Sequence, residues 1–156
     1  MFKSMFAKLF NMFTKKELVN HPKHYNSHPS GIEIIDIVEH MDFNLGNAFK
    51  YISRCGMKDD SIQEMKKSIW YIKREIKRIE NWQNIEMKYP CNKENSTQCY
   101  DIFVKFMSHE PDGWKKQVYE LIYRVPNALL IESITPLLNN SIFIIENEIN
   151  LRESEK

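Results

Sequence analysis

Apolar residues recur at helical spacing through most of this chain. The firmest run is Ile62, Met65, Ile69, Ile72, Ile76 and Ile79, at steps of 3, 4, 3, 4 and 3. A helix with that spacing carries a continuous seam, to be packed inside a bundle or against a second subunit. Ser61 followed by Glu64 has capping-box spacing and marks the predicted start of this helix. Lys66, Lys67 and Tyr71 fall off the seam in its first turns.

Upstream, residues 32–41 place Ile34, Ile35, Val38 and Met41 on one side of a helix, with Glu33, Asp36 and His40 along another. Residues 46–58, GNAFKYISRCGMK, predict a second helix that starts at Gly46–Asn47 and stops at Gly56. Asn47, Lys50, Tyr51, Arg54 and Lys58 share one of its sides, while Ala48, Phe49, Ile52 and Cys55 supply apolar contact elsewhere. At the N-terminus, Phe2, Met5, Phe6, Leu9, Phe10, Met12 and Phe13 form a broad apolar stripe opposite Lys3, Ser4, Ala7, Lys8 and Asn11. That stripe suits packing or oligomerisation first, and a membrane surface second.

Between these patterns lie Pro-containing loops. Residues 19–31 hold His21, His24 and His28, but no cysteine joins them and a Pro-broken loop fixes no coordination geometry, so no metal site is expected. Residues 88–98 read as a linker. Beyond it, residues 99–108, 113–125 and 127–139 predict helices punctuated by Pro111, Pro126 and Pro136, the last of which ends or kinks its helix. Residues 141–149 fit a last helix or a short strand, and their context favours helix. The organisation expected is an amphipathic segment over 1–18, a helical domain over 19–87, the linker, and a helical extension over 99–156.

Composition narrows the class. With 156 residues the chain is long enough to bury a core, and four glycines and six prolines suit an all-α bundle better than a turn-rich β-fold. Twenty-two Lys and Arg offset 21 Asp and Glu, so no global charge calls for DNA or RNA. Three cysteines without metal-like spacing fit a reducing, cytoplasmic setting. No apolar run reaches the roughly 20 residues that span a bilayer. The exposed stripe and the seam together predict a homo-oligomer.

The chemistry concentrates in the cationic row. A row of Lys and Arg is ordinarily a solvated face. Here it begins with Gly-Asn at the predicted helix start, where backbone N–H groups favour an anion, and it contains a tyrosine. Those features point to a phosphorylated ligand. A short connection from the preceding helix would bring Glu33 and Asp36 opposite the row, completing a pocket with carboxylates on one wall and cations on the other.

The blocks HPKHYN, GIEIIDIVEH, GNAFKYISRCGMK and EMKKSIWYIKREI, in this order and spacing, resemble the SaV-like phage domain family. That family comprises small phage proteins of unknown function or nucleotide kinases, among them a podophage kinase acting on deoxynucleoside monophosphates. The resemblance covers about residues 19–80 and departs from the family pattern at Glu64, Met65 and Ser68. It implies a nucleotide-binding phage protein in the cytoplasm of an infected bacterium. His24, Tyr25, Glu33, Asp36, Asn47, Lys50, Tyr51, Arg54, Lys58, Lys67 and Tyr71 would be its binding residues, and Lys50 and Arg54 its catalytic ones. As a kinase it would use ATP and Mg²⁺ without a Gly-rich phosphate loop, a motif this chain lacks. As a binder it would sequester a nucleotide, such as a signalling nucleotide of host defence. A pyrophosphohydrolase is disfavoured, because its second Glu-x-x-Asp pair would fall on Glu64-x-x-Lys67.

Overall fold

A computed structural model describes residues 28–57, 60–82, 96–127 and 131–155. Within them the chain forms six α-helices and no strand: α1 (Ile34–Val38), α2 (Phe43–Arg54), α3 (Ser61–Trp82), α4 (Ser96–His109), α5 (Trp114–Arg124) and α6 (Ile134–Ser154). The fold is therefore all-α, as the spacing of apolar residues predicts. The N-terminal stripe, His21, His24, Tyr25, Lys58 and nearly all of the expected linker lie outside the described residues.

The heptad-like seam of α3 is packed within the chain. Met65, Ile72 and Ile79 are fully buried, and Ile62 and Ile69 nearly so. α2 lies against one side of α3 and α6 against another. With the seam covered by its own chain, the part of the oligomer argument that rested on it falls away. Lys66 to Glu153 at 3.3 Å and Lys73 to Glu146 at 3.7 Å join α3 to α6 at the surface, where such pairs contribute little.

α5 and α4 complete the core. Phe49 of α2 stacks on Tyr119 of α5 at 4.2 Å and lies 5.7 Å from Phe106 of α4. Ahead of α1, the His28 ring stacks on Phe106 at 3.9 Å, between Ser30 Oγ at 2.7 Å and Glu110 Oε2 at 2.9 Å. The loop into α1 is thus fastened to the end of α4.

Two sequence expectations change in detail. Residues 134–154 form one uninterrupted helix, which removes the strand alternative at 141–149 and the break expected at Pro136. Pro136 occupies the first turn of α6, where its missing N–H would have had no helical partner. α2 begins at Phe43, a turn earlier than expected. Gly46 instead lies where α1 crosses: a side-chain carbon there would meet the Val38 carbonyl oxygen at 3.1 Å. Gly56 follows the end of α2 with φ at +87°, the left-handed conformation that lets a chain leave a helix.

Candidate functional site

α2 and α3 run antiparallel, and each carries a polar face toward the other. On α2 the residues are Asn44, Asn47, Tyr51 and Arg54; on α3 they are Glu64, Tyr71, Glu75 and Arg78, beside the apolar seam. The antiparallel register sets Arg54 against Glu64, Tyr51 against Tyr71 and Asn44 against Glu75.

At one end Glu75 is fully buried. It accepts from Asn44 Nδ2 at 2.9 Å, Arg78 Nε at 2.9 Å and Arg78 Nη2 at 2.6 Å. Arg78 also reaches Asp42 at 2.8 Å. Burial works against the Arg78 charge, but the bonds and charges of Glu75 and Asp42 outweigh it and hold the guanidinium above its usual range. This cluster ties α3 to the start of α2 and is structural.

At the other end three cations gather around one ring. Lys50 Nζ lies 5.1 Å from the Tyr51 centroid, and the Arg54 guanidinium and Lys67 Nζ each lie 5.5 Å from it. Buried Glu64 holds two of them, accepting from Lys67 Nζ at 2.6 Å and facing Arg54 Nε at 3.2 Å. Lys50 is held differently. Its ammonium donates to Asn47 Oδ1 at 2.7 Å, and the Asn47 amide in turn donates to the Phe43 carbonyl at 2.7 Å. Burial lowers the Lys50 pKa and the neighbouring Arg54 charge lowers it further, against the opposing pull of Glu64. An arriving anion would relieve that crowding.

The structure thus brings together Asn47, Lys50, Tyr51, Arg54, Lys67 and Tyr71. The carboxylate that the row meets is Glu64 of α3. Glu33 and Asp36 sit at the start of α1, where Asp36 Oδ2 accepts from the Glu33 N–H at 3.1 Å in a capping-box arrangement. The helix-start reading of Gly46–Asn47 fails, because the Gly46 N–H donates to the Asp42 carbonyl at 2.8 Å and is not offered to an anion. The capping-box reading of Ser61 and Glu64 also changes. Asp60 accepts from the Ile62 N–H at 3.0 Å, which leaves the Glu64 carboxylate to turn inward. Glu64 and Glu75 had a signal in the sequence: with Tyr71 and Arg78 they repeat at heptad-like steps beside the isoleucine seam.

Other chemistry near the cluster is quiet. Burial pushes the Cys55 thiol up to about 11, so it is a poor nucleophile. Among the described residues no group of three or more His, Cys, Asp or Glu comes together to hold a metal. Ser68, one turn beyond Glu64, is fully buried, and among the described residues its hydroxyl has no hydrogen-bond partner. Desolvating an unpaired hydroxyl costs roughly 1–3 kcal/mol. Ser68→Ala is therefore expected to raise the urea midpoint; a clear fall would show that the hydroxyl has a partner.

No curated protein and no solved structure matches this chain. One family model does. Residues 19–73 match DUF3310, a protein family of unknown function, and that similarity takes in α1, α2 and the part of α3 that carries Glu64, Lys67 and Tyr71.

Proposed function

We propose that this chain binds a nucleotide, taking its phosphate on Lys50, Arg54 and Lys67. The observation behind this reading is the convergence of those three cations on the Tyr51 ring. Arg54 supplies a planar fork suited to phosphate oxygens, and Lys50 and Lys67 act as point charges. Glu64 orients Arg54 and Lys67 from beneath. Asn47 steadies Lys50.

On the resemblance to the SaV-like phage domain family, the bound nucleotide is a nucleoside monophosphate and the activity is its phosphorylation by ATP with Mg²⁺. Phosphoryl transfer rests mainly on positioning and charge neutralisation, which is the kind of work this cluster of cations performs. Sequestration is the second reading, favoured by how compactly the cations surround a single ring, as for one ligand.

One assay tests all of this. The protein is titrated calorimetrically with a panel of nucleoside mono-, di- and triphosphates, then incubated with ATP, Mg²⁺ and each deoxynucleoside monophosphate. Diphosphate formed well beyond one equivalent per chain supports the kinase. Tight binding of one nucleotide, released intact on denaturation, supports sequestration. If none binds, the proposal is wrong.

A further inference from the structure

Resting on the nucleotide reading, we infer that the base of the ligand stacks on Trp70 and Phe43, aromatic residues that the family resemblance does not assign. The tyrosines of the cluster are poorly placed for that task. Tyr51 is half-buried and is stacked against Tyr71 at 5.6 Å, with Lys50, Arg54 and Lys67 gathered around it. Tyr71 has Tyr51 against it and meets two further rings in T-shaped contacts, Phe43 at 6.1 Å and Trp70 at 4.8 Å.

Those two rings are the exposed ones. Phe43 is 74% exposed although it begins α2, and Trp70 is 54% exposed although Tyr71 and Arg74 lie against it. Large aromatic surface left open beside a cationic cluster has a chemical complement: a flat, apolar ring attached to an anion. A nucleobase joined to its phosphate through a sugar has that form. Tyr71 links the cationic cluster to both rings, with centroid steps of 5.6 Å to Tyr51, 6.1 Å to Phe43 and 4.8 Å to Trp70. Arg74, 5.5 Å over the indole, adds a cation–π contact and places another positive charge against the ring. The ligand class is thus a base-bearing phosphate, and a phosphate without a base fills only half of the site.

Full-length protein and its Trp70→Ala, Trp70→Phe and Phe43→Ala variants, each checked for unchanged melting, are titrated with the nucleoside 5′-monophosphates and with ribose 5-phosphate. Loss of one base stack weakens binding by about tenfold to a hundredfold. Trp70→Ala is expected to lose that much for the nucleotides and nothing for ribose 5-phosphate, Phe43→Ala to act in the same direction, and Trp70→Phe to keep most of the affinity. Nucleotide affinity unchanged in Trp70→Ala and Phe43→Ala overturns the base site and leaves the phosphate site standing. Equal losses for nucleotide and ribose 5-phosphate overturn it too, since Trp70 would then act only through the cations. Wild-type protein that binds no nucleotide but binds phosphatidylserine vesicles through Trp70 overturns both readings and makes the aromatic patch a lipid contact.

Discussion

Cutting Glu75 back to alanine is expected to destabilise the fold markedly. Its carboxylate is fully buried and receives hydrogen bonds from Asn44 and twice from Arg78. Removing one partner of a fully buried pair costs about 3–5 kcal/mol. Arg78 keeps Asp42 and is partly exposed, so the loss here is expected near the lower end of that range, with the Asn44 amide also losing its acceptor. A domain of ordinary stability has only about 5–15 kcal/mol in total. Urea unfolding followed by circular dichroism should show the midpoint falling steeply. A double replacement, Glu75→Leu with Arg78→Met, should recover part of the loss, since Arg78 is then gone with its partner and only the part-exposed Asp42 loses an ion pair. A Glu75→Ala protein with the parent midpoint would show that the cluster does not hold α3 to α2.

The second large effect is on binding, and the geometry decides which residue shows it cleanly. From the sequence alone, Arg54→Ala should weaken nucleotide binding and leave stability unchanged. The structure alters that expectation, because Arg54 is buried to 9% exposure and paired with the Glu64 carboxylate. Its removal is expected to lower affinity and melting temperature together. Lys50 is held by the neutral Asn47 amide instead, so Lys50→Ala should separate the two effects. A charge-assisted hydrogen bond contributes roughly 1.5–3 kcal/mol, so affinity should drop by about one to two decades. Melting should change little.

The same residue predicts a pH dependence. Lys50 must be protonated to attract phosphate, and burial followed by the Arg54 charge sets its pKa below the lysine value of 10.5. Affinity should therefore begin to fall, as pH rises, before an ordinary lysine deprotonates. That fall should vanish in Lys50→Ala. Calorimetry across the alkaline range measures both. Undiminished binding by Lys50→Ala would remove Lys50 from the site.

Periodicity along the chain was enough to establish the all-α class and the long helix carrying Ile62 to Ile79, because those depend on which side chains share a face, while a glycine at 56 marked where α2 stops. Periodicity also put Asn47, Lys50, Tyr51 and Arg54 on one side of α2, and Lys67 and Tyr71 off the seam of α3, side chains that the structure brings together. What local spacing could not determine was the partner of each face. Glu64 has the spacing of a helix cap in the sequence, and only the antiparallel approach of α2 shows Arg54 waiting for its carboxylate. Glu33 and Asp36 look like the acidic wall of a pocket until the turn of α1 engages Asp36 at its own start. The seam of α3 served equally well for a subunit interface until α6 of the same chain was found against it. Phe43 and Trp70 gave no sign of sharing a neighbour, since the two are 27 positions apart and Phe43 reaches the Tyr71 ring beside Trp70 only in the packed structure. A helix's own sequence fixes which residues point the same way. Which neighbour they meet depends on how distant segments bury their apolar surface together, and that is decided by the packed chain as a whole.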